Sequence, residues 1–160
     1  MKRARNLLVA NLIAQLAFGL LAMTLCLPSM QEWGDIFQAS QSTVQLTFSL
    51  YVLAYGGFQL IYGPMSDRYG RKPILLIGLV TLFVGATIAA FANSLEILLL
   101  GRFIQGAGGA AGMVVGRSMV QDLFHGPERT KVMAYVGMSL GCVPPLASIT
   151  GGQIHVHLGW

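Results

Sequence analysis

The chain has 160 residues, of which 54% are hydrophobic and 10% are charged, and its mean hydropathy is +0.65. In water-soluble domains, charged residues usually make up about a quarter of all residues. The low charged share here therefore excludes a soluble enzyme and indicates an integral membrane protein. The net charge is +4, and most of the basic residues lie between apolar runs and at the amino terminus. It therefore does not form the basic face that nucleic-acid binding needs.

Five apolar runs are predicted to form membrane-spanning helices, because each crossing uses about 20 residues. They cover about residues 7–28, 43–62, 74–92, 95–120 and 132–156. The first run is too long for a secretory signal and lacks a cleavage site, so we interpret it as an uncleaved helix. Cys26 and Cys142 lie in separate apolar runs, which excludes a disulfide framework, and no metal site is predicted.

The positions of Lys and Arg predict the orientation, because positive residues beside spans stay in the cytoplasm. The connections 31–42 and 93–94 contain neither residue type. The other segments contain Lys2, Arg3, Arg5, Arg68, Arg71, Lys72, Arg129 and Lys131. We therefore expect a cytoplasmic amino terminus and an outer position for Trp160. An odd number of spans suggests a partial chain.

The connection after the second span has a compact pattern of glycines and charges, G-x-x-x-D-R-x-G-R-K, over residues 63–72. Gly70 permits a tight reversal, Asp67 can face a helix amino terminus, and Arg71 can bridge to a carboxylate on a neighbouring helix. Breaking such contacts would favour one conformation over another. The alternative is a loop that only fixes topology. The predicted switch consists of Gly63, Asp67, Arg68, Gly70, Arg71, Lys72 and Asp122. The pattern resembles the signature loop of the major facilitator superfamily.

The fourth span contains R-x-x-Q-G, from Arg102 to Gly106, which resembles a second signature of that superfamily. A buried arginine costs about 3 kcal/mol on insertion scales, so it should face a polar cavity or a partner. The alternative is an arginine satisfied by helix carbonyls. Three glycines at four-residue intervals, Gly108, Gly112 and Gly116, predict one face for close helix packing.

Two further faces are predicted to line a cavity, although helix packing explains them almost equally well. The first span contributes Asn11 and Gln15, and the second contributes Tyr51, Tyr55 and Gln59. Aromatic rings could hold flat or cationic lipophilic compounds by stacking and cation–π contacts.

The fifth span combines glycines with two adjacent prolines, which remove backbone hydrogen bonds and bend a helix. The predicted bending residues are Gly141, Pro144, Gly151 and Gly152. This series resembles a third signature, found in the exporting, antiporter branch of the superfamily. Ser148 stands where that branch often has a second proline.

Taken together, the motifs resemble the bicyclomycin and chloramphenicol resistance branch of bacterial drug:proton antiporters. This resemblance implies the major facilitator fold, an all-α membrane protein, with residues 1–160 forming about five helices of the first six-helix half. It also implies a bacterial inner-membrane carrier that exports small lipophilic drugs or metabolites by alternating access. Its partners would be the substrate, the bilayer and the carboxy-terminal helices of a longer parent. Its energy source would be the proton gradient, without a cofactor.

The proton carrier is not assigned, because no Asp or Glu lies deep in a predicted span, and Thr24 stands where many relatives have an acid. Three alternatives stay open: a nutrient uptake carrier of the same fold, a truncated scaffold without transport activity, and an intramembrane enzyme. The enzyme is disfavoured, because the spans supply neither paired buried aspartates nor a metal site.

Overall fold

The structure is a computed structural model that describes residues 2–158, with side chains described for residues 7–157. The side chains of Lys2, Arg3 and Arg5, and the whole of Trp160, lie outside the described residues. Six helices form the described part of the chain, and it contains no strand. They are α1 (Lys2–Thr24), α2 (Met30–Ile36), α3 (Gln41–Tyr69), α4 (Arg71–Ala90), α5 (Leu95–Leu123) and α6 (Gly126–Leu158).

All helices except α2 are long and apolar enough to cross a membrane. Their exposed surfaces carry large apolar side chains, such as Leu60, which is 80% exposed, and Phe83, which is 69% exposed. Side chains of this kind are stable on the outside of a helix bundle when lipid surrounds it. The predicted all-α membrane fold is confirmed. Below, the end of the bundle at the α3–α4 junction is called the inner end, and the opposite end is called the outer end.

Several helix bounds differ from the predicted spans, because hydropathy marks the lipid-facing part of a helix and not its polar ends. The second span was predicted to end at Gly63-Pro64, but α3 continues through Pro64 to Tyr69. The predicted loop of charges is therefore largely helical, and Gly70 alone, with φ at +95°, separates α3 from α4. Similarly, α6 begins at Gly126 and not near residue 132.

A short helix lies at the outer end, within residues that were predicted to be only a connection. The first membrane helix ends at Thr24, before the predicted end at residue 28, and α2 follows after a series of turns. Trp33 of α2 is only 3% exposed and packs with Val44, Ala92 and Leu98. This apolar cluster attaches α2 to the outer ends of α3, α4 and α5.

The central helix is α5. In its apolar stretch 67% of the residues are buried, compared with 22% or less in the apolar stretches of the other spans. Its glycines allow three neighbours to approach. A Cβ atom at Gly101 would lie 2.7 Å from the Ala89 nitrogen in α4, and one at Gly112 would lie 2.6 Å from the Gln15 carbonyl oxygen in α1. A Cβ atom at Gly106 would overlap the backbone of Tyr51 in α3.

The prediction of one glycine face on this helix was wrong. Gly108 contacts α4 at Leu82, whereas Gly112 and Gly116 contact α1 at Gln15 and Leu16. Positions four residues apart turn by about 40° around a helix, so the glycine series passes from one neighbour to the next.

We expect Gly108→Ala to lower the free energy of unfolding by about 1–3 kcal/mol, because the added methyl group would overlap the backbone of Leu82. Gly57→Ala is the matched control, since no atom lies within 4 Å of its Cβ position. Thermal unfolding of both variants in detergent measures the difference. Equal stability of the two variants would show that α4 and α5 do not pack this closely.

Candidate functional site

Arg102 lies in the outer half of α5, where it is 3% exposed. Its guanidinium donates hydrogen bonds to the carbonyl oxygens of Ala22 at 3.1 Å and Met23 at 3.2 Å, both in α1. It also donates to the Gln105 side-chain oxygen at 2.6 Å, one turn along α5. The buried cation is therefore satisfied mainly by the backbone of a neighbouring helix.

These two carbonyl groups belong to the last turn of α1, which ends at Thr24. The last four carbonyls of a helix have no partner within it, and they form the negative end of the helix dipole. A guanidinium at this position supplies both hydrogen bonds and a compensating charge. Arg102 thus caps the carboxy-terminal end of α1 from a different helix.

Tyr51 of α3 completes this cluster. The centre of the Arg102 guanidinium lies 4.5 Å from the Tyr51 ring centroid, which is a cation–π contact. The Tyr51 hydroxyl donates to the Gly19 carbonyl oxygen of α1 at 2.6 Å. Tyr51 was predicted to line an open cavity, but its side chain is fully buried. It joins α1, α3 and α5, so helix packing, the stated alternative, accounts for this residue.

A cavity of about 510 Å³ lies beside this cluster, between the outer ends of α1, α2, α4, α5 and α6. Its lining is mostly apolar, with side chains such as Phe18, Leu82 and Leu98. The polar exceptions include Arg102 and Gln105, and no lining residue carries a carboxylate. The Arg102 Nε atom is buried and has no hydrogen-bond partner among the described residues.

The other predicted cavity residues lie closer to the inner end. Gln15 donates to Asn11, and Tyr55 is half-buried and stacks on Tyr51, with ring centroids 6.1 Å apart. Gln59 is also half-buried. The side-chain oxygen of Gln15, Oε1, and the Tyr55 hydroxyl are buried and have no partner within the described part of the chain. Both polar atoms are thus unpaired in this conformation, whereas the Tyr51 hydroxyl is paired with Gly19.

A charge cluster connects three helices at the inner end. Arg71, the first residue of α4, forms an ion pair with Asp67 of α3 and donates to Asp122 of α5 at 2.9 Å. It also donates to the Ser66 hydroxyl at 2.7 Å. Sequence reasoning missed Ser66, whose position directly before Asp67 was the available signal. Asp67 was expected to face a helix amino terminus, and its structural partner is the Arg71 side chain.

The remaining residues of the predicted switch have more exposed positions. Lys72 is exposed, and Arg68 lies over the ring of Tyr69 with its guanidinium 5.4 Å from the ring centroid. Gly63 faces Val114 of α5, since a Cβ atom there would lie 3.9 Å from its side chain. Only Asp67, Arg71 and Asp122 are therefore brought together as an ionic cluster.

The predicted bending residues fall into two groups. Gly151 packs directly against the Leu25 carbonyl group, which brings the outer end of α6 close to the end of α1. Gly141 and Gly152 have no atom within 4 Å of their Cβ positions. Helix α6 continues through Pro144 and Pro145 without an interruption.

The sequence of residues 7–160 matches the family model of the Major Facilitator Superfamily. The chain belongs to this superfamily. Its members are membrane transporters and not enzymes, so the intramembrane enzyme is excluded. The match covers the Arg102 cluster, the cavity and the inner charge cluster alike.

Several curated relatives are named after drug resistance. The chain is 31% identical to Multidrug resistance protein D of Escherichia coli (strain K12), an alignment covering 100% of the chain and 41% of the relative. It is 33% identical to a Chloramphenicol resistance protein of Pseudomonas aeruginosa, covering 98% of the chain and 38% of the relative. The Bicyclomycin resistance protein homolog of Haemophilus influenzae (strain ATCC 51907 / DSM 11121 / KW20 / Rd) is 35% identical, covering 84% and 34% respectively. The chain thus spans about two fifths of the length of these relatives or less.

We expect Arg102→Lys to lower the free energy of unfolding by about 1.5–3 kcal/mol, the usual contribution of a hydrogen bond to a charged group. Lysine cannot reproduce the planar set of donors that reaches α1, Gln105 and the Tyr51 ring. Arg117→Lys is the control, because Arg117 lies on the same helix and is exposed. Thermal unfolding in detergent distinguishes them, and a stable Arg102→Lys protein would contradict the capping role.

Proposed function

We propose that this chain forms part of a transporter that exports small lipophilic drugs or metabolites across the bacterial inner membrane. Export is coupled to inward proton movement and proceeds by alternating access, within a longer protein that supplies further helices. The amino terminus and the inner charge cluster face the cytoplasm. The main support for this proposal is the apolar cavity beside Arg102. Relatives named after drug resistance also match the chain over most of its length.

The chemistry of the cavity lining favours neutral lipophilic substrates over cationic ones. Its lining is mostly apolar, its polar groups include the Arg102 guanidinium, the Gln105 amide and the Ser29 hydroxyl, and no lining residue carries a carboxylate. The face of Tyr51 is already occupied by Arg102, so this ring is not free to bind a cationic compound. The surroundings therefore favour neutral compounds with hydrogen-bond acceptors over lipophilic cations, which differs from the earlier expectation of cation–π binding.

The ion pairs of the inner charge cluster are weak enough to break during a change of conformation. The side chains of Asp67 and Asp122 are 66% and 51% exposed, and the Arg71 side chain is 25% exposed. Ion pairs at such exposed positions contribute about 0.2–1 kcal/mol each. Contacts of this size can break and re-form during transport, and their loss still shifts the balance between two conformations.

Chloramphenicol, named in one relative, is a suitable first probe. We expect inside-out vesicles containing the transporter with this chain to accumulate radiolabelled chloramphenicol when a proton gradient is imposed. Asp67→Asn should reduce this accumulation about two- to fivefold, because it removes one exposed ion pair from the switch. The measurement is uptake at equal amounts of inserted protein.

Arg68→Gln is the matched control, since Arg68 follows Asp67 directly but contacts Tyr69 and not the Arg71 cluster. It should retain most of the activity. Full activity of Asp67→Asn would contradict the switch. Absence of drug accumulation by the wild type, together with nutrient uptake in right-side-out vesicles, would favour the alternative of an uptake carrier.

We expect a cysteine at Lys72 to react with impermeant thiol reagents only from the cytoplasmic side, because positive residues beside spans are retained there. A cysteine at Asn93, in the uncharged α4–α5 turn, should react only from the outside. Both positions are exposed, and Cys26 and Cys142 are first replaced by serine. Labelling of intact and permeabilised cells measures the orientation. The reverse pattern would overturn the assigned topology.

A further inference from the structure

His155 connects α6 to the segment between α1 and α2 at the outer end. Its Nδ1 atom lies 3.1 Å from the Ser29 hydroxyl oxygen, and its Nε2 atom lies 3.1 Å from a carboxylate oxygen of Glu32. Both ring nitrogens therefore have a partner on the same neighbouring segment. We call Ser29, Glu32 and His155 the outer clamp.

The position of the outer clamp is set by close backbone packing. Gly151, one turn before His155, lies against the Leu25 carbonyl group of the α1–α2 connection. Ser29 is 8% exposed, and the His155 side chain is 16% exposed. The imidazole is thus held in a partly buried position at the rim of the cavity, where Ser29, Ile154 and Gly151 contribute to the lining.

We propose that His155 is a proton-binding site, and that its protonation tightens the outer clamp between α6 and the Ser29–Glu32 segment. A neutral imidazole has one N–H group, which donates to Glu32, while Ser29 donates to the other nitrogen. A protonated imidazole donates at both nitrogens, and its contact with Glu32 becomes an ion pair. The clamp is therefore stronger when the imidazole is charged and weaker when it is neutral.

The charged groups around His155 fit this assignment. Glu32 on α2 is the charged group in contact with the imidazole, and Arg102 on α5 lines the cavity further in. Cys26 also lines the cavity, and the cavity-lining residues of α4 are Leu82, Ala86, Ala89 and Ala90. Histidine is the side chain that ordinarily changes its charge between pH 5 and 8. The inference concerns residues of this chain and holds for either direction of transport.

The test measures the distance between α2 and α6 as a function of pH. Spin labels are attached to cysteines at Ile36, which is 44% exposed, and at Gln153, which is exposed, in the full chain with Cys26 and Cys142 replaced by serine. Double electron–electron resonance spectra are recorded in lipid nanodiscs at about pH 5.5 and about pH 8, on both sides of imidazole titration. We expect the short-distance population to increase about two- to fivefold relative to the long-distance population at the lower pH, the range of an exposed ion pair.

Three variants separate the outer clamp from general effects of pH. Glu32→Gln should abolish the pH response without disturbing the packing, because the Glu32 side chain is 62% exposed. His155→Gln should also abolish it, while His157→Gln, which changes an exposed histidine on the same helix, should retain it. A pH-independent distance in the wild type would overturn the proposal. So would a response that persists in His155→Gln or disappears in His157→Gln.

Discussion

The cap that Arg102 places on α1 is the interaction on which the arrangement of this bundle depends. The end of a helix leaves carbonyl groups without partners in that helix, and each one costs free energy when it is buried. Here the guanidinium contacts Ala22 and Met23 and stacks on Tyr51, so a single side chain joins three helices. If α1 and α5 separated, both the Arg102 cation and the α1 carbonyl groups would lose their hydrogen-bond partners.

This cap requires backbones that approach closely, which explains the concentration of glycine in the middle of the bundle. A Cβ atom at Gly19 would lie 2.9 Å from the Gly109 carbonyl oxygen, and one at Gly109 would lie 3.2 Å from the Gly19 Cα atom. Larger side chains here would move α1 away from α5 and carry its carbonyl groups out of reach of Arg102. The glycines therefore serve the polar cluster as well as the packing of helices in lipid, where small residues are generally favoured.

Much of the fold could be predicted from the sequence, because lipid forces every span to be a continuous apolar helix. Helix α2 could not, since its seven residues, with only Met30 and Trp33 buried, form no continuous apolar run. The hydrogen-bond partners of Arg102 could not be predicted from the sequence either. Its main partners are backbone carbonyl groups, which carry no signature in the sequence. Helical periodicity placed Tyr51 and Tyr55 on one side of α3 but not against a particular neighbour, so it did not distinguish the buried ring from the half-buried one.

The interactions differ in strength along the bundle, and this difference has a mechanical consequence. In its interior, the Arg102 cluster and the glycine contacts are buried, and losing a hydrogen bond to a charged group there costs about 1.5–3 kcal/mol. At the inner end, Asp67 and Asp122 are more than half exposed, so their ion pairs with Arg71 break at low cost. A change of conformation would therefore loosen the contacts of the inner end first and leave the central helices together.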